Sequence, residues 1–249
     1  MIRILRRAAC LAAICLPLSP ALAEEPPLTP AQVQAMRDLV RQTLIENPEI
    51  LAEAMQALQT KRSAEAAAAQ TAAIRDNQGD LVHADDPFLG PKSAKVAVVE
   101  FFDYNCGYCR AAFPDLQATL KAHPDARVVV KDLPVLGPES VAVSRLALAA
   151  RKQGKYAEFH AALMGTRARL DEAAALTVAK TLKLDVDKLK ADARAKEVDD
   201  TLRRNHALAE ALGINGTPSF VIGETLIPGK VSADALAQAI AEAKKTAKN

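Results

Sequence analysis

An α/β fold preceded by a helical stalk is predicted by three observations. Two runs, "KVAVVEFF" (95–102) and "ARVVVKDLP" (126–134), are β-branched and almost wholly apolar, as in strands buried on both faces. Between them, "CGYCRAAFPDLQATLKA" (106–122) turns to helical spacing from its first cysteine onward. Ahead of both, residues 24–78 carry apolar positions at helical spacing and little core of their own.

The chain opens "MIRILRRAACLAAICLPLSPALAEE". Arg3, Arg6 and Arg7 precede a short apolar run, too short to span a bilayer as a mature helix. Ala21, Leu22 and Ala23 then form an A-x-A site, so residues 1–23 are expected to be a secretory signal peptide. Its removal takes Cys10 and Cys15 and leaves Cys106 and Cys109. It also removes three of the 32 basic residues, leaving 29 against 30 acidic ones and a net charge of about −1. That balance argues against nucleic acid or an anionic membrane as partner. The mature chain is expected in an exported compartment where disulfides persist.

In the stalk, Thr29 and Pro30 form a cap-plus-proline start. Val33, Met36, Leu39, Val40 and Leu44 follow at helical spacing. Asn47 and Pro48 repeat the signal, and Ile50, Leu51, Ala54, Met55 and Leu58 form a second stripe. This helix is expected to continue to about Asp76, a length of about 40 Å. The stripes must be buried, either on the chain's own domain or by self-association. Residues 63–73 hold no large apolar side chain and read as a spacer.

Residues 79–94 contain turn signals and are expected to be a linker. The main domain then runs 95–249, with residues 138–212 nearly all helical. "PSFVIG" and "TLIPG" are two short strands with Gly223 and Glu224 near their turn, and Ser232 caps a last helix.

Three readings apply to Cys106 and Cys109. A metal site is poorly served, because structural zinc takes four ligands and His83, His123, His160 and His206 offer no ligand spacing. Copper(I) needs only the two thiolates. A structural disulfide across two intervening residues would constrain the unfolded chain little. A redox pair explains the placement at a strand-to-helix junction, where unpaired N–H groups and the helix dipole favour a thiolate at Cys106. Cys109, one turn on, would resolve the mixed disulfide. Glu100 and Lys131 are charges inside apolar strands, which is costly without a role or partner. The expectation is that they pair beneath the cysteines and that Glu100 shuttles the proton of Cys109. Thr217 and Pro218 precede an apolar strand, where a turn leaves backbone for an extended peptide.

These residues resemble a known family. "FFDYNCGYCR", Pro114 within the following helix and "GTPSFVIG" downstream are similar to thioredoxin-fold proteins of the DsbA-like group. The resemblance implies a thioredoxin fold with an inserted helical domain, a cis-proline loop at Pro218 and a buried charged pair at Glu100 and Lys131. "LTPAQVQAMRDLVRQTLIENPEILAEAMQAL" further resembles the leading region of the suppressor-of-copper-sensitivity protein C branch. That branch implies a periplasmic disulfide isomerase linked to copper resistance. Its redox group is the Cys106–Cys109 disulfide, with no metal and no other cofactor. Catalysis would rest on Cys106, Cys109, Glu100 and Lys131, with Gly107, Tyr108, Thr217 and Pro218 against the client. Implied partners are disulfide-bearing clients, a membrane thiol reductase and further copies of the chain, a trimer favoured. Gly107-Tyr108 departs from the Pro-His of the strong oxidases, and Thr217 matches bacterial isomerases. The alternatives are a monomeric dithiol oxidase and a copper(I)-binding thiol module.

Overall fold

The computed structural model describes residues 28–246, so the expected signal peptide at 1–23 lies outside the described residues. The chain divides after Gln59 into two units.

The first unit is helical. α1 (Pro30–Glu46) starts at a capping box in which Thr29 and Gln32 satisfy each other's backbone N–H groups. Asn47 ends it, and α2 (Glu49–Asp76) starts with the acidic Glu49 in its first turn, where the helix dipole favours it. The expected stripe is present but uncovered in the single chain. No α1 residue is buried, and Met36, Leu39, Val40, Ile45, Leu51 and Met55 are each more than half exposed.

The second unit is built on a five-stranded sheet of order β1-β3-β2-β4-β5. The strands are β1 (Phe88–Leu89), β2 (Val96–Phe102), β3 (Ala126–Asp132), β4 (Ser219–Ile222) and β5 (Thr225–Pro228). β2 and β3 run parallel, joined through α4 (Gly107–Ala122), and the other pairs are antiparallel. Gly223 and Glu224 make the β4–β5 turn, with Gly223 at φ +60°, a conformation that costs a glycine little.

Register decides what each side chain meets. Glu100 lies opposite Val130, and Lys131 opposite Phe101. Alternate residues point to opposite faces, so Val98, Glu100, Phe102, Val128, Val130 and Asp132 share one face. Val99, Phe101, Val129 and Lys131 share the other. The first face meets the larger core, with Cys109 and Leu116 of α4 and Ile240 of α10 (Ala233–Thr246). That core continues into α5 (Pro138–Ala149), α6 (Tyr156–Met164), α7 (Glu172–Thr181) and α8 (Val186–Asp192). The second face is covered by Ile74 of α2, Leu81 of α3 (Gln78–Leu81) and Leu208 of α9 (Lys196–Ala211).

Residues 79–94, expected as a linker, are part of this framework. They complete α3 and supply β1, which pairs with β3, and both Leu81 and Asp86 are buried. A two-residue strand between turn formers is too short to leave a periodic signal.

Candidate active site

Cys106 ends the loop after β2 and caps α4. Its backbone is extended, and its sulfur accepts the Cys109 N–H at 3.4 Å. The Cys106 thiol can also donate to the Thr217 carbonyl at 3.2 Å. The Thr217–Pro218 peptide bond is cis. The turn before β4 brings the Thr217 backbone carbonyl within reach of the sulfur. Both cysteines are free. Cys106 is 8% exposed and Cys109 is fully enclosed. Gly107 is open, with nothing within 4 Å of where a Cβ would stand, and Tyr108 is 73% exposed.

The two thiols are driven apart electrostatically. A hydrogen bond from the Cys109 thiol is the main cause that lowers Cys106, with a hydrogen bond from the Thr217 side chain and the α4 amides of Tyr108 and Cys109 adding to it. Burial opposes them, and the Cys106 pKa settles at about 5. Burial pushes Cys109 well above the ordinary thiol range, and donating to Cys106 holds its proton further. One sulfur is thus an anion at neutral pH and the other keeps its proton. Alkylation of the reduced protein by iodoacetamide is expected to rise with a midpoint near pH 5 rather than near the ordinary thiol value of 9. A midpoint above 8 would overturn the assignment of Cys106 as the thiolate.

Glu100 lies on the sheet face beneath the cysteines, fully buried, and neither carboxylate oxygen has a hydrogen-bond partner. Burial, then the Cys106 charge, lifts its pKa to about 8. Its expected pairing with Lys131 does not form. The register sends Lys131 through the opposite face, where its ammonium meets the Asp86 carboxylate and the Asp80 carbonyl. Both side chains lie inside strands, but residues one step out of register point apart.

The sequence reading missed the residues that hold the active-site loop. Asp103 is buried and accepts from the Asn105 N–H at 2.7 Å, the Leu136 N–H at 3.0 Å and the Ser140 hydroxyl at 2.7 Å. Asn105 exchanges hydrogen bonds with the Leu170 backbone at 2.8 and 2.9 Å. Arg110 donates to the Tyr104 carbonyl at 2.7 Å and the Ala168 carbonyl at 2.9 Å. These ties anchor the loop to the helical block. An aspartate three residues before a cysteine and an arginine just after the pair were the only signals, and each reads equally as surface charge. His160 is buried and bonds Tyr104 at 2.9 Å, while no group of three metal-ligating residues exists among the described residues.

A family model described as a DSBA-like thioredoxin domain matches residues 97–241. The chain belongs to the DsbA-like thioredoxin family. Residues 32–65 match a second model, the copper resistance protein ScsC N-terminal domain. The fold is accordingly the DsbA-like thioredoxin fold preceded by N-terminal helices, as expected. A linker-deleted variant of Proteus mirabilis ScsC is 34% identical and superposes with a TM-score of 0.67, covering 90% of this chain and 100% of that one. A thioredoxin-like oxidoreductase from Silicibacter pomeroyi is 44% identical at a TM-score of 0.67, covering 68% of this chain and 98% of that one. Among curated proteins similar to this chain, one named Na(+)/H(+) antiporter NhaA 3 from Salinispora tropica is 29% identical over 160 residues. That alignment covers 64% of this chain and only 24% of the antiporter's length. Among the described residues, no helix is long and apolar enough to cross a membrane.

Proposed function

We propose that this DsbA-like thiol–disulfide oxidoreductase is a periplasmic isomerase and reductase of client disulfides. The observation that carries the reading is the divided thiol pair, one sulfur an acidic helix cap and the other buried and protonated. The Cys106 thiolate attacks a client disulfide and forms a mixed disulfide. The client's own thiol can then attack elsewhere and reshuffle the bonds. Alternatively Cys109 loses its proton to Glu100 and attacks the Cys106 sulfur. That closes the Cys106–Cys109 disulfide and releases the client as a thiolate. Gly107, Tyr108, Thr217 and Pro218 contact the client.

So acidic a thiolate favours the dithiol, which makes the disulfide form a ready electron acceptor. Isomerase action therefore needs an outside reductant, for which a membrane thiol reductase is proposed. The uncovered stripe of α1 and early α2 supports self-association, a trimer favoured. Several cysteine pairs then face one client at raised effective concentration. The name of the domain that matches residues 32–65 points to copper stress as the setting.

Reactivation of a scrambled multi-disulfide enzyme tests this, comparing the mature chain with one that begins at Thr60. The cut falls at the boundary between the two units and keeps Ile74 in the core. The full chain is expected to reactivate at least about tenfold faster at equal active-site concentration. If both forms merely oxidise a reduced client, the protein is a dithiol oxidase and the isomerase reading fails.

A further inference from the structure

Beneath the cysteines lies a second carboxylate that the exchange chemistry above does not use. Asp132 ends β3 opposite Phe102, on the same sheet face as Glu100. It stands one strand across and two residues along, about 8 Å away by strand geometry. Asp132 is fully buried, and its Oδ1 has no hydrogen-bond partner. Its Oδ2 is 3.5 Å from the Tyr156 hydroxyl.

The groups facing Asp132 come from every neighbouring element. β2 supplies Glu100 on the same sheet face, and the loop after it supplies Asp103 and Tyr104. α5 supplies Ser144, and α6 supplies Tyr156 with His160 stacked on it at 5.7 Å. Asn205 of α9 binds the Asp132 backbone carbonyl rather than the carboxylate. None of these is a cation at neutral pH. Burial holds His160 down at about 3, and the Lys131 ammonium lies on the other face with Asp86. Tyr104 and Tyr156 each feel the charge of both carboxyls. Two acids share one water-poor face, with no positive charge between them.

We propose that Glu100 and Asp132 form a coupled carboxyl pair that holds one proton between them, so that Asp132 sets how readily Glu100 accepts the proton of Cys109. Asp132 is a positioning residue, since it touches neither sulfur. The role rests on the dithiol-exchange reading. In the resolving step Cys109 gives its proton to the Glu100 carboxylate, and its electron pair forms the bond to Cys106. The Cys106–client bond breaks, and the client leaves with that electron pair. A charge on Asp132 repels one on Glu100 and raises the proton affinity of Glu100. Glu100 is lifted to about 8, first by burial, and Asp132 to about 7, also first by burial, with Asp103 adding repulsion.

The test is a ¹³C-carboxyl NMR titration of the reduced full chain, with Glu100 and Asp132 assigned by E100Q and D132N. In the wild type both carbons are expected to respond in both steps of a two-step titration above pH 5. In D132N the Glu100 midpoint is expected to fall by about one pH unit. The Glu100-dependent limb of the exchange-rate profile should move down with it, a shift that loss of packing alone would not produce. An unmoved Glu100 midpoint in D132N overturns the pairing. So does a wild-type Asp132 that titrates alone, below about pH 4.5. Should D132N fail to fold, the wild-type titration decides by itself. The NMR readout needs no turnover, so a protein without Cys106-dependent exchange would defeat the functional reading while the titration still judged the pair.

Discussion

Cys106→Ser is expected to reduce client-disulfide exchange to the uncatalysed background while leaving the fold intact. Serine cannot form the mixed disulfide, and no other described residue supplies a thiolate, since Cys109 is enclosed and held protonated. Stability should survive because the structural bonds of Cys106 suit a hydroxyl. It accepts the Cys109 N–H and donates to the Thr217 carbonyl, and serine is a favoured helix cap. The thermodynamic signature is pH-dependent. The Cys106 pKa is lowered to about 5 from an ordinary 9, so between those values the unfolded chain binds more protons than the native one. The thiolate's contribution to the reduced protein is therefore full above pH 9 and lost as pH falls through about 5. Urea midpoints of the reduced wild type and the serine variant should converge as pH drops from 9 to 5. Exchange activity retained by the variant would overturn the attacking role.

The strand pair, the cysteine-capped helix, the β4–β5 hairpin and the stalk helices were legible because each left a local signal. "KVAVVEFF" and "ARVVVKDLP" could be little else than buried strands, and a cysteine at a strand-to-helix junction has few structural uses. The face on which a residue lands was not legible. Glu100 and Lys131 look equivalent in sequence, yet the parallel register sets them on opposite sides of the sheet. A single step of register separates a buried, unpaired carboxyl beneath the thiols from a lysine serving the other core. Asp86 was hidden for a related reason. It lies among the turn formers of 79–94, where an acid normally signals solvent, and only the docking of β1 onto β3 draws it inside. Asp132 sits unmarked within "ARVVVKDLP", and its burial depends on α5 and α6, whose packing no local pattern encodes.

Asp86→Asn is expected to destabilise the protein by about 3–5 kcal/mol without removing exchange activity. The Lys131 ammonium is fully buried, and Asp86 is the carboxylate bonded to it. Asp86 also accepts from the His83 N–H at 3.0 Å and stands 3.3 Å from the Arg204 guanidinium. An amide there keeps the shape but leaves two cations without their counter-charge. At about 2–4 °C per kcal/mol for a domain of this size, the melting temperature should fall by roughly 6–20 °C. Burial already lowers the Lys131 pKa, and loss of Asp86 lowers it further. The native state then binds fewer protons than the unfolded one below the ordinary lysine value of 10.5. The variant should therefore recover stability as pH rises toward that value. The double variant Asp86→Leu/Lys131→Met should cost less than either single change, because it removes both desolvated charges together. Denaturant melts across pH measure all of this. A single variant within about 0.5 kcal/mol of wild type would show that the pair carries no such strain. The exchange assay decides the remaining question about Lys131. If proton transfer at Cys109 ran through this lysine, Lys131→Met would slow resolution even in the stabilised double variant. With Lys131 on the far face of the sheet, the rate should hold.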